Sequence, residues 1–251
     1  MGTVYSRTEL AEKVKDASNN MNTFYNMPFI NYQGYTRDCK KLFDCEYISE
    51  VICQNIDKWF LDEAIKSVKR KQGYFPEGHT AESRFVPSDR EEEKIAMFYY
   101  VNQEDNDGIG TLLDYQTPLK GKRTDSVGKV DLLSYDANDK SILFLELKKP
   151  ESKETLLRCL VESFTYTKFV DKEEFSKDLK AVKNIEYIRI VPCALFFKNS
   201  RPYEDYERVK SGSFPFTKEL IKKLGVRLYC IEELEQKGDE RRFKSTLLSI
   251  D

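Results

Sequence analysis

The stretch KVDLLSYDANDKSILFLELK, residues 129–148, decides how this chain folds. It holds two apolar runs, 129–134 and 142–147, separated by the polar residues 136–140, the pattern of two strands joined by a hairpin. The second run, ILFLEL, is almost continuously apolar, as expected of a central strand covered on both faces. Side chains alternate along a strand, so Ile142, Phe144, Glu146 and Lys148 share one face while Leu143, Leu145 and Leu147 take the other. Glu146 and Lys148 therefore emerge side by side at the strand's end. A carboxylate in so apolar a setting is costly unless it is paired or binds a metal. Asp131 begins the apolar segment of the preceding strand, and the hairpin is expected to bring it beside Glu146.

Two carboxylates converging next to a lysine suit phosphodiester cleavage, which needs an activated water and relief of the charge that builds on the phosphate. A divalent ion held by Asp131, Glu146 and the backbone carbonyl of Leu147 would serve both needs. Lys148 would then position the water or stabilise the transition state. The competing reading is a strand-end salt bridge between Lys148 and one of the acids, but a salt bridge does not require two acids on adjacent strands. A lone histidine, His79, and six cysteines without a CxxC pair argue against a zinc centre or a disulfide framework. The expected metal is a hard ion, Mg2+ or Mn2+. The cysteines are expected to be reduced and mostly buried.

Outward from the hairpin, residues 110–117 read as a further strand. Before them, Ser88 and Glu91 form a capping-box pattern opening a helix over 88–102. Residues 72–87, with three of their number glycine or proline between 73 and 78, read as a linker. Residues 46–70 read as a helix whose apolar positions spread widely around its axis. After the hairpin come a helix over 153–170, a strand over 187–197, a helix over 217–224 ending at Gly225, and a strand over 226–231. The order α-β-β-β-α-β-α-β implies an α/β fold with a mixed sheet. Residues 1–87 are expected to form a helical N-terminal segment, and residues 88–251 the domain that carries the chemistry.

Asp131, fourteen intervening residues and then Glu146-Leu147-Lys148 resemble the active-site signature of the PD-(D/E)xK nuclease superfamily. The resemblance covers about residues 88–231. It implies a restriction-endonuclease-like αβββαβ core, dependence on magnesium, Asp131 and Glu146 as ligands and Lys148 as a catalytic residue. Some members carry a further glutamate on the helix before the sheet; of Glu91, Glu92 and Glu93, helical geometry places Glu91 on the apolar stripe, although it is also the acid of the capping box. RecB-like members carry QxxxY on the helix after ExK. Here Glu162-Ser-Phe-Thr-Tyr166 stands in that place, with glutamate for glutamine, and the alternative for Glu162 is a pair with Arg158 four residues earlier.

The 251 residues are 40% apolar and 33% charged, which supports a sizeable core beneath a solvated surface. No run of about 18 apolar residues occurs, so no membrane span is expected and the protein is placed in the cytoplasm. The net charge of −2 does not announce a nucleic-acid partner. Two local clusters do suit phosphates: Lys66, Lys69, Arg70 and Lys71, taken as a basic helix end, and Lys120, Lys122 and Arg123. The expectation is a Mg2+- or Mn2+-dependent nuclease acting on DNA, with the N-terminal helices contributing substrate contacts or self-association as a homo-oligomer. The alternatives are a catalytically silent nucleic-acid-binding module of the same fold and a protein-interaction protein.

Overall fold

The computed structural model describes residues 4–59, 65–70, 72–75, 90–102, 108–121, 128–237 and 240–250. The hairpin at its centre joins β4 (Lys129–Asp136) to β5 (Ser141–Lys148), antiparallel, with Leu132 opposite Leu145 and Leu133 opposite Phe144. β3 (Thr111–Pro118) adds to β4 in the same sense. Beyond β5 the pairing turns parallel, first with β6 (Arg189–Phe197) and then with β7 (Arg227–Lys237), and β8 (Glu240–Leu247) closes the row antiparallel to β7. The six strands thus run β3-β4-β5-β6-β7-β8 in one mixed sheet. Such a parallel step needs a crossover. α4 (Leu156–Phe169) and α5 (Lys172–Lys183) supply it between β5 and β6, and α6 (Arg201–Lys210) and α7 (Pro215–Leu224) between β6 and β7.

The alternation along β5 sorts its side chains as expected. Leu143, Leu145 and Leu147 join a core beneath α3 (Glu91–Val101) with Ile95, Tyr99, Cys193 and Phe243. Ile142 and Phe144 face the opposite core, under α4, and every residue of β5 is buried. That second core also takes in Leu10 and Val14 of α1 (Arg7–Ala17), Phe24, Phe29 and Ile30 of the two 3-10 stretches Ser18–Asn26 and Pro28–Asn31, and Ile48 and Ile52 of α2 (Asp44–Trp59). The N-terminal residues therefore pack directly on the helices that flank the sheet. A two-stranded ribbon, β1 (Tyr35–Thr36) and β2 (Cys39–Phe43), leads into α2. All six cysteines are free thiols and five are buried.

Three local expectations need correction. The helix expected over 46–70 is α2 alone as far as Trp59, and residues 65–70 carry no helix. Their backbone finds tertiary partners instead: the Val68 amide donates to the Phe169 carbonyl, and the Asn22 side chain brackets the Lys66 backbone. α3 takes Arg90 as its N-cap, so Glu91 is its first residue and not the third-position acid of a capping box; Ser88 lies outside the described residues. Finally, α5, α6 and β8 stand where no element was expected.

Candidate active site

Asp131 and Glu146 meet because β4 and β5 part at their ends. Regular pairing stops at Leu132 and Leu145, and one step further Asp131 lies opposite Glu146. There the Asp131 carboxylate takes the place of a backbone acceptor: Oδ2 accepts from the Leu147 amide at 2.9 Å. Its other oxygen accepts from the Gln116 side-chain amide at 2.8 Å. Gln116 is buried in β3 with φ of 52°, a conformation few non-glycine residues adopt and one that concentrates at functional sites.

On the α4 face, Lys148 sits in a cage of carboxylates. Its Nζ lies 2.8 Å from Glu146 Oε1, 2.7 Å from Glu154 Oε2 and 3.3 Å from Glu162 Oε2. Arg158 backs two of these acids, 3.3 Å from Glu154 and 3.4 Å from Glu162. The Tyr166 hydroxyl donates to Glu162 Oε1 at 3.1 Å. Lys148 is 4% exposed and Glu146 6%, yet Glu146 Oε2 has no hydrogen-bond partner.

Helix α4 delivers this set because it starts where it does. The Thr155 side chain caps the Arg158 amide, and Thr155 is itself fixed by the Ile30 carbonyl and the Asn31 side chain. Glu162 and Tyr166, four residues apart, then share the face turned to Lys148. Tyr25 packs edge-on against Tyr166 with ring centroids 5.6 Å apart, and a Cβ on Gly128 would collide with the Tyr166 hydroxyl.

Three carboxylates (Glu146, Glu154 and Glu162) share two cations, Lys148 and Arg158, and Asp131 adds a fourth acid, so the fully ionised cluster carries an excess of two negative charges. Protons answer part of it. Burial pushes Asp131 up to about 7 and, reinforced by the Glu162 charge, holds Glu146 well above the usual carboxylate range. Burial opposes the charge on Lys148, but Glu146 and Glu162 outweigh it and keep the ammonium protonated. Burial likewise raises Tyr166, which stays a neutral donor.

A divalent cation would answer the same excess. Among the described residues no group of three or more His, Cys, Asp or Glu side chains is arranged to hold a metal by itself. Magnesium, however, keeps several waters and is commonly held by one or two carboxylates. The unpartnered Glu146 Oε2 beside Asp131 fits that hard, oxygen-only donor set.

Asp131, Glu146, Leu147, Lys148, Glu162 and Tyr166 are therefore gathered in one place. Glu91 is not: it pairs with Lys149 and Arg241, while Glu92 accepts from the Lys149 amide at 3.2 Å and its charge reaches Asp131. The Glu162 alternatives merge, since it serves both Arg158 and Lys148. Lys66 and Lys69 line a separate cleft; the Arg70 guanidinium is spent on the carbonyls of Gln72, Gly73 and Lys120. Lys71, Lys122 and Arg123 lie outside the described residues. Sequence reasoning missed Glu154, Gln116 and Tyr25. Glu154 alone left a signal, standing four residues before Arg158 as Glu162 stands four after it.

No helix among the described residues is long and apolar enough to cross a membrane. Comparison with protein-family models, curated proteins and solved structures finds no match.

Proposed function

We propose that this protein is a metal-dependent nuclease of the PD-(D/E)xK type, with Asp131, Glu146 and Lys148 as its catalytic set. The observation that carries the reading is Glu146: a buried carboxylate with one oxygen on Lys148 and the other unpartnered, opposite a second carboxylate. Strand order supports it. Helix α3, the antiparallel β3-β4-β5, the α4 crossover and a parallel β6 follow the αβββαβ order of a restriction-endonuclease-like core.

Asp131 and Glu146 would hold a Mg2+ or Mn2+ ion, with the Leu147 carbonyl as a further donor. Such an ion supplies, when bound, acidification of a water and neutralisation of charge on the phosphate. The chain's own groups do the rest. Glu146 keeps Oε1 on Lys148, which leaves Oε2 to hold the ion. Lys148, kept charged by its carboxylate cage, stabilises the charge that grows on the phosphate oxygens. Glu162, Glu154 and Arg158 position Lys148, and Tyr166 fixes Glu162.

Incubating the protein with linear DNA, circular DNA and RNA, with magnesium and with excess EDTA, tests this directly. Cleavage of at least one substrate, abolished by chelator, is the expected result. Undiminished cleavage in EDTA would sink the metal mechanism. Binding without cleavage would favour the catalytically silent module, in which Lys148 and its acids form a structural ion cluster.

A further inference from the structure

A second feature lies at the far end of α4. Residues 65–69 run along the α4–α5 junction and enclose a cleft of about 640 Å³ whose lining includes Lys66, Lys69, Lys168 and Lys172. The Val68–Phe169 backbone bond, at 2.7 Å, clamps this segment to the helix end. Among the described residues the lining holds four lysines and two acids, and both acids are engaged elsewhere. Asp171 caps the Glu174 amide at 3.3 Å, and Glu173 stands 3.4 Å from Lys177. Among the described residues Lys66, Lys69 and Lys172 have no carboxylate within ion-pair distance.

A relay of packing contacts links this cleft to the candidate active site. Gly121 packs against the Lys69 carbonyl, the Leu119 amide bonds the Gly128 carbonyl at 3.3 Å, and Gly128 packs against Tyr166. α4 itself carries Glu162 and Tyr166 at the site and Lys168 at the cleft.

We propose that this cleft binds the sugar-phosphate backbone of the nucleic-acid strand on which the site acts, an inference that rests on the nuclease reading. Lysine ammonium groups are compact point charges that suit phosphate without reading sequence. No aromatic ring is among the described residues that line the cleft, which offer no stacking platform for unpaired bases. The cleft therefore follows the backbone independently of sequence.

The test measures binding by fluorescence anisotropy of a labelled duplex across a salt series in EDTA, with Asp131→Asn as background to prevent cleavage. Adding Lys66→Ala, Lys69→Ala and Lys172→Ala should weaken binding and reduce the slope of log K against log salt by roughly 2 to 3, since each duplex phosphate contact contributes about 0.9. Lys168 is left in place because its ammonium also lies over the Phe164 ring. A charge-matched control, Lys15→Ala, Lys58→Ala and Lys210→Ala, alters exposed lysines outside the cleft and should leave the slope unchanged. An unmoved slope in the cleft variant, or equal flattening by both triples, overturns the proposal. Cleavage by the wild type together with an unmoved slope overturns the cleft alone. A flattened slope in the cleft variant, together with a wild type that cleaves nothing, leaves the cleft standing as a phosphate-binding surface and overturns the nuclease reading.

Discussion

Two buried glutamates, one on α2 and one on β5, are treated in opposite ways. Glu46 of α2 is 3% exposed, and its carboxylate accepts from the Phe216 amide at 2.7 Å and from the Thr217 amide and hydroxyl at 3.1 and 2.6 Å. It caps the start of α7, and both its oxygens are satisfied. Glu146 is 6% exposed, shares one oxygen with Lys148 and leaves the other without a partner. An unsatisfied buried acceptor costs about 1–3 kcal/mol. Such a cost persists where the group does something other than hold the fold. Asp44 shows that an orphan oxygen is not enough: both its oxygens lack partners and burial lifts its pKa to about 7. What sets Glu146 apart is convergence with Asp131, Lys148 and Glu162.

The sharpest way to break this contrast is Lys148→Ala. It should lower the cleavage rate at least about a hundredfold, the order expected on losing a group that acts on the transition state. It should also cost about 3–5 kcal/mol of stability near neutral pH, because Glu146 and Glu162 lose their buried cation. Urea unfolding measures that cost. The deficit should shrink as pH falls, since Glu146, already held above the usual carboxylate range, then protonates and no longer needs the cation. A variant that keeps normal cleavage would reduce Lys148 to a structural partner.

Glu46→Gln should do the reverse. The amide cannot accept all three bonds, so a loss of about 1–3 kcal/mol is expected, with unchanged cleavage per folded molecule. A large drop in turnover would mean the two glutamates do not divide between support and chemistry as argued above.

Asp131→Asn gives a smaller effect that changes with pH. Its pKa, near 7 in the folded protein against an ordinary value of 3.8, means that its stabilising contribution is present in full below about pH 4 and is lost as pH rises through 7. The asparagine has one oxygen for the Leu147 and Gln116 amides, so the variant melts below the wild type at pH 4, and without metal that deficit should shrink by pH 8, where the wild type carries the buried charge. Mn2+ should raise the wild-type melting temperature at pH 8 and leave the variant's unmoved. An equal deficit at both pH values would show that Asp131 is not strained by its charge.

Much of the site was legible because it is local. The period of two along ILFLEL places Glu146 and Lys148 opposite Leu143, Leu145 and Leu147, and the hairpin sets the register with Asp131. The five-residue span from Glu162 to Tyr166 needs only a helix. Illegible parts depend on distant chain. Tyr25 reaches Tyr166 from the N-terminal 3-10 stretch, and Asn31 holds the start of α4 from 124 residues away. Glu92 displaces Glu91 through partners far along the chain, since Glu92 accepts from the Lys149 amide while Glu91 pairs with Lys149 and Arg241. α5 was hidden by its charge, with Phe175 and Leu179 its only buried residues. β8 alternates only through Phe243 and Ser245, an edge strand whose charged side chains mask its period.

The decisive comparison is cleavage by wild type, Glu146→Gln and Glu46→Gln, each normalised to folded protein, in magnesium and in EDTA. Wild type and Glu46→Gln should cut at equal rates in magnesium and not in EDTA, with Glu146→Gln at least about a hundredfold slower. Equal rates for Glu146→Gln and wild type, or cleavage indifferent to EDTA, would contradict a metal-dependent site built on Asp131 and Glu146.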